Sequence, residues 1–266
     1  MTPSVNDSKI LALVVCIDGI PRNPRIVPTF NQKSEIFDFS LVNAIEPKDI
    51  DPDYLTNLID ESTILMGRPI TSVEVAVMMS HRLCYEQIIK GNYKFGLILE
   101  DDVDISLLSF DPSTITSMLK SDDLRILTLA KSPWSSWIKT EQALIAKFPP
   151  PCASCYFINS NTANYALSTV PIGIADWPPW AHKVKFFHIS DLSIRIDESH
   201  SYLERSRSRV IHATKKRLII KKLPSNSNVK KIWQFRYLVS YRLIWKVSNS
   251  QWSISRMRLF KLSRKC

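Results

Sequence analysis

The stretch KFGLILEDDVDIS, residues 94–106, decides how the chain is read. Its first seven residues are short and largely apolar, which suits a buried β-strand over residues 94–100. That strand ends in three consecutive acids, Glu100, Asp101 and Asp102, with Asp104 two positions on. Alternation along a strand predicts Glu100 and Asp102 on one side, Asp101 on the other and Asp104 in the emerging loop. Two carboxylates about 5 Å apart at an effective dielectric near 20 repel by roughly 3 kcal/mol, so the cluster calls for a cation or a shared proton. Oxygen ligands favour hard ions such as Mg²⁺ or Mn²⁺, which commonly join protein carboxylates to substrate phosphates. A solvated acidic turn is the alternative reading of the same spacing.

The segments on either side alternate between strand and helix patterns. KILALVVCID, residues 9–18, is a continuous apolar run of strand length, and GIPRNPRIVP after it reads as a proline-rich basic loop. EIFDFSLV, residues 35–42, is a second strand, and residues 46–68 read as irregular with a short helix near Tyr54 to Asp60. Thr71-Ser72-Val73-Glu74 fits a capping box, apolar positions recur at helical spacing to Ile88, and Gly91 follows, so a helix is expected over about 72–90. RILTLA (125–130), ASCYFI (153–158) and VKFFHI (184–189) are further strands, with a helix from Asn159 and Ser160 to about Val170. This alternation predicts a mostly parallel α/β sheet covered on both faces, with ligands beyond the carboxyl ends of its strands.

Composition is that of a folded domain: 266 residues, 45% hydrophobic and 23% charged. No apolar run reaches the roughly 18–20 residues of a membrane span, and the opening MTPSVNDSK lacks signal-peptide character, which predicts a cytoplasmic protein. Cys16, Cys84, Cys152, Cys155 and Cys266 form a scattered odd set, expected as reduced thiols rather than a disulfide framework or a zinc site.

The chain has 5 Gly and neither a GxGxxG nor a GxxxxGK[ST] phosphate cradle. A bound nucleotide would need a metal for much of its diphosphate recognition. The order of motifs resembles glycosyltransferase family 25, the bacterial lipooligosaccharide and lipopolysaccharide transferases. The resemblance runs over about residues 9–190 and rests on Ile17-Asp18 followed by PRNPR, Asn43-Ala44, EVAVMMSH (74–81), ILEDD (98–102) and ASCYFINSNTANYAL followed by PIGIAD (171–176). Ala76-Val77 stands where the family has Gly-Cys, and the last element carries an insertion before Asp176.

The resemblance implies a GT-A-like domain over residues 1–204, a UDP-sugar donor, galactose as the sugar, and transfer with inversion to a lipid-linked saccharide. On that basis Glu100 and Asp102 would hold Mn²⁺ or Mg²⁺, which stabilises the departing nucleotide, and Asp176 would deprotonate the acceptor. Asp18 would meet the base or ribose, and Arg22 and Arg25 the phosphates, with Asp101, Ser80 and His81 also on the donor side. His188 is a candidate for the metal shell, against ordinary packing in its strand. Glu74 is accounted for by the capping box alone. Trp134, Trp177 and Trp180 are candidate sugar platforms or core covers.

Two other functions remain open on these residues. EDDVD would also suit metal-dependent phosphoryl transfer or hydrolysis, and the basic end of the chain would suit a non-catalytic membrane-binding adaptor. Residues 205–266 carry 18 Lys and Arg and no Asp or Glu, leaving 17 basic against 25 acidic residues in the first 204. Within this extension Trp233, Tyr237, Tyr241 and Trp245 recur every fourth residue among cations. Such a helix would lie in a bilayer interface, with each cation contributing about 1 kcal/mol on anionic lipid; packing on the body is the next reading, and nucleic acid a distant third. The expected location is therefore peripheral, at the cytoplasmic face of the inner membrane. Anionic liposomes should float the full chain and lose a chain ending at residue 204; equal flotation of both would refute the membrane role.

Overall fold

The computed structural model describes residues 9–66, 69–105, 111–120, 122–129, 137–141, 143–147, 149–150, 153–176, 178–189 and 195–196. The expected basic extension, Trp134, Trp177, Cys152 and Cys266 lie outside the described residues.

The first expected strand is β1, Ile10–Cys16, whose seven residues are all buried. A turn of 3-10 helix over Ile17–Gly19 ends it, with Asp18 at φ 54° and Gly19 at φ 67° and the Ile20 amide donating to the Ile17 carbonyl. Aspartate and glycine are among the residues that adopt this left-handed backbone most readily. The loop expected through Pro28 is shorter than predicted, because α1 already spans Ile26–Gln32. Pro28 is tolerated there since first-turn amides have no partner within a helix, and Ile26 and Phe30, one turn apart, are buried.

Next come β2, Phe37–Asn43, and α2, Pro52–Met66, a helix much longer than the short one expected. Its buried stripe is Leu58, Ser62 and Met66. A serine in the middle disguised the apolar period, yet its hydroxyl accepts from the Gly173 amide at 2.8 Å and so belongs to the interior. The capped helix is α3, Ser72–Lys90, with the bounds its signals predict. The Thr71 and Glu74 side chains each accept from the other's amide at 3.0 Å. Gly91 caps the other end in a right-handed conformation, and Asn92 takes the left-handed turn at φ 55°.

The remaining strands and α-helices among the described residues are β3 (Phe95–Glu100), β4 (Val103–Asp104), α4 (Pro112–Leu119), β5 (Arg125–Thr128), β6 (Trp137–Lys139), β7 (Leu144–Ala146), β8 (Cys155–Asn159), α5 (Ser160–Leu167), β9 (Lys185–His188) and β10 (Arg195–Ile196). Eight strands form one sheet in the order β2-β1-β3-β8-β5-β9-β7-β6, while β4 and β10 make a separate pair. Parallel pairing of β1 with β2 and β3, and of β5 with β9, together with the antiparallel pairings of β8 and β7, leaves those two strands reversed against the other six. The expected mostly parallel α/β sheet is therefore present in strand direction, with β8 inserted antiparallel at its centre.

Both faces of this sheet are covered, which explains why its central strands are apolar throughout. Ile10, Ala12 and Val14 of β1 join Leu97 and Leu99 of β3 beneath α1 and α4. Leu11, Leu13 and Val15 join Ile98 beneath α3 and α5. At Gly96 a Cβ would come within 2.6 Å of Ile88 Cγ1, so the missing side chain lets α3 close on β3. One consequence follows for Glu100: in phase with Ile98, it emerges on the α3 face.

Candidate active site

The acidic cluster sits where β3 ends and is held from the side of α1. Strand geometry stops at Glu100, and Asp101 and Asp102 form a turn, so the predicted strict alternation is not kept across them. Instead both aspartates meet one guanidinium. Arg22 donates from Nε and Nη2 to Asp101 Oδ1 at 2.8 and 2.6 Å, and its Nη2 lies 3.0 Å from Asp102 Oδ2. The Arg22 amide reaches Asp101 Oδ2 at 3.4 Å. Asn23 completes the attachment: its amide donates to the Asp101 carbonyl at 2.9 Å and its Nδ2 to the Val103 carbonyl at 2.8 Å.

Burial opposes the charge on Arg22, but the Asp101 hydrogen bond and the charges of Asp102, Asp101 and Glu100 outweigh it and raise its pKa. Asp102 shows the opposite balance. Burial first, then the charge of Glu100, push its carboxyl up to about 6 despite Arg22. Its Oδ1 is buried without a hydrogen-bond partner. Asp101 and Asp102 meet the one guanidinium and Glu100 lies beyond its reach, so the three acids keep a formal surplus of two negative charges, which a divalent ion would neutralise. Among the described residues no group of three His, Cys, Asp or Glu side chains encloses a metal by itself. The donors that fit are the carboxylates of Glu100 and Asp102, a set that suits an ion sharing its remaining positions with phosphate oxygens.

Antiparallel β8 brings its start, rather than its end, beside this cluster. Ser154 accepts from the Glu100 amide at 2.8 Å, and the neighbouring Ala153 amide donates to Asp176 Oδ1 at 3.1 Å. Asp176 is thereby tied one residue along from the partner of Glu100. Asp18 is exposed on its turn beyond β1, and the exposed Arg25 donates its amide to Asn23 Oδ1 at 3.0 Å.

Ser80 and His81 of α3 are both 1% exposed. The Ser80 hydroxyl donates to Ala76 and accepts from the Ile45 amide, fastening α3 to the chain leaving β2. His81 Nδ1 lies 2.9 Å from the Tyr156 hydroxyl, and its Nε2 faces Glu100 Oε1 at 3.8 Å. Both residues, expected on the donor side, are interior side chains. Glu74 is 1% exposed and engaged in its capping box.

His188 is not brought to the acids. It lies on β9, three strands from β3, or about 14 Å across the sheet. Its Nδ1 is 2.9 Å from the Thr128 carbonyl and its ring packs near Trp137. Trp180, 5% exposed and edge-on to Tyr85, covers core rather than offering a sugar platform. Tyr85 and Tyr156, which complete the polar group around His81, escaped sequence reasoning. They occupy apolar positions of α3 and β8, and only the pairing of those elements brings their hydroxyls together.

A family model described as "Glycosyltransferase family 25 (LPS biosynthesis protein)" matches residues 17–170, more than half of the chain. No curated protein matches significantly. Among solved structures, the crystal structure of mannose-1-phosphate geranyltransferase from Thermus thermophilus is similar at 10% identity, covering 76% of this chain and 79% of that one, with a TM-score of 0.38. That likeness is too distant to bear on fold or function.

The titration of Asp102 yields a prediction. Its folded pKa of about 6 lies above the ordinary 3.8, so the folded state binds the proton more tightly, and stability falls as pH rises between these values. In EDTA, Asp102→Asn should flatten this dependence and melt higher than the parent above pH 6. A parent whose melting temperature rises from pH 4 to pH 6, with the variant following it, would contradict the assignment.

Proposed function

The chain belongs to glycosyltransferase family 25, and from that membership and the acidic turn after β3 we propose a metal-assisted, inverting hexosyl transfer from a UDP-sugar. Family membership makes it a glycosyltransferase of lipopolysaccharide biosynthesis. The finer reading takes galactose as the hexose and a lipooligosaccharide or lipopolysaccharide saccharide as the acceptor. It places the reaction on a GT-A-like domain at the cytoplasmic face of the inner membrane, with the basic extension holding the enzyme near its lipid-linked acceptor. Membership also favours transfer over the phosphoryl-transfer and adaptor readings.

The observation that carries the metal reading is the buried, unpartnered Oδ1 of Asp102 beside a second carboxylate and a surplus of negative charge. Glu100 and Asp102 would hold Mn²⁺ or Mg²⁺; when bound, the ion supplies Lewis-acid stabilisation of the diphosphate leaving group. Arg22 is committed to Asp101, so its part is to neutralise one acid and fix the turn. Asp18 and Arg25, exposed on the neighbouring loop, would meet the nucleoside and phosphate ends of that donor.

Inversion requires the acceptor oxygen to attack the anomeric carbon opposite the diphosphate. As the new C–O bond forms, the bond to the diphosphate breaks with its electron pair leaving on UDP. The acceptor proton passes to a carboxylate on the near side. Asp176, oriented by the Ala153 amide and close in the chain of contacts to Glu100, is the residue proposed for it.

Turnover of a UDP-hexose panel on a saccharide acceptor tests this directly. Activity should require Mn²⁺ or Mg²⁺ and vanish in EDTA. Asp176→Asn should lower kcat by about 10²–10⁴, and Asp102→Asn should abolish metal-dependent donor binding. Undiminished turnover in Asp102→Asn would sink the proposal.

A further inference from the structure

Three polar groups buried between α3, β3 and β8 form a chain, and its last atom has no partner. The Tyr85 hydroxyl is 2.9 Å from that of Tyr156, which is 2.9 Å from His81 Nδ1. The rings of Tyr156 and His81 lie nearly parallel, at 8°. His81 Nε2 is buried, has no hydrogen-bond partner and faces Glu100 Oε1 at 3.8 Å.

Burial keeps both tyrosine hydroxyls protonated, raising each above the ordinary phenol value. Each hydroxyl has one proton to donate, and a neutral imidazole has one N–H. Arrangements that make both contacts fall into two kinds, according to which ring nitrogen carries the proton. In the first, Tyr85 donates to Tyr156 and Tyr156 donates to Nδ1, which leaves the ring proton on Nε2, facing the carboxylate. In the second, Nδ1–H donates to Tyr156 and Tyr156 to Tyr85, which sets the bare lone pair of Nε2 against the Glu100 oxygen. The second opposes two electron-rich atoms at a site where His81 is shielded from water. The first is the favoured one.

The geometry points to His81 as a positioning residue: the Tyr85–Tyr156 pair fixes its proton on Nε2, and that N–H orients the Glu100 carboxylate. A gap of 3.8 Å exceeds a made N–H···O bond by roughly 0.9 Å and is too short for a bridging water. Glu100, whose side chain is 30% exposed, closes it by rotation about its own bonds, as such contacts do when a site is loaded. The inference deepens the reading of Glu100 as a metal donor and rests on that reading for its consequence in metal affinity. Residues that fix a ligand's orientation in this way typically change metal affinity by about 10–100-fold when replaced.

Nitrogen-15 NMR of the metal-free full chain with labelled histidine reads the tautomer, and Mn²⁺ alone, titrated by electron paramagnetic resonance, reads the consequence. The proton of His81 is expected on Nε2, and its resonance should shift in Glu100→Gln. Tyr156→Phe, which keeps the ring but removes the donor to Nδ1, should mix the tautomers and weaken Mn²⁺ binding by about tenfold. His81→Gln, which retains a donor near the Nε2 position, should bind Mn²⁺ better than His81→Phe. A proton on Nδ1, an Nε2 resonance indifferent to Glu100→Gln, or unchanged Mn²⁺ affinity in Tyr156→Phe would overturn the inference. If the parent binds no Mn²⁺ while the Nε2 proton responds to Glu100→Gln, the metal reading of Glu100 fails and the orienting role of His81 stands.

Discussion

The guanidinium of Arg22 on Asp101 is the contact around which the rest of the site is arranged. Two charge-assisted bonds from the guanidinium converge on Asp101 Oδ1, and the Arg22 amide reaches Oδ2, so both partners are fixed in direction as well as distance. Asn23 adds bonds to the carbonyls of Asp101 and Val103, so the basic loop after β1 and the acidic turn after β3 become one rigid edge. The same pairing explains how three adjacent acids persist at the end of an interior strand. One is neutralised outright, one shares the same cation, and Glu100 turns to the opposite face of the sheet. What remains is a surplus of charge concentrated at Asp102, whose burial raises its pKa and leaves an oxygen unsatisfied. Such an arrangement lowers stability above pH 6, and a functional site is where that cost is expected to persist.

The second organising element is α3. Its capping box, the Ser80 bond to the chain after β2 and the absence of a side chain at Gly96 set its height and depth against the sheet. His81 consequently arrives beneath Glu100 on the face to which that glutamate points. The acids and the helix beneath them are thus placed by separate constraints. Antiparallel β8 adds a third, because its reversed direction brings Ala153 and, through it, Asp176 to the same edge.

Much of this was legible in the residues, for reasons that differ by element. β1 and β3 are buried on both faces and so announce themselves as apolar runs; α3 announces itself through its caps. α2 was underestimated because Ser62 interrupts its stripe while still being buried against Gly173. α1 was missed because Pro28 looks like a loop residue, although first-turn positions accept it. At the site, the acidic cluster was readable, but its partner was not. An arginine in a proline-rich loop is ordinarily solvated, and only the folding of that loop onto residues 101–103 commits Arg22 to carboxylates. His188 stands apart from the acids because strand order, which local sequence does not disclose, sets β9 three strands away.

We propose that Arg22 satisfies Asp101 and leaves Glu100 and Asp102 to a divalent ion. Anomalous diffraction at the manganese edge, from crystals grown with Mn²⁺ and UDP, tests it most directly. A single strong peak is expected about 2.0–2.3 Å from carboxylate oxygens of Glu100 and Asp102, with Arg22 still bonded to Asp101. A UDP complex with no peak there, or with Arg22 swung away to replace the ion at those two carboxylates, would contradict it.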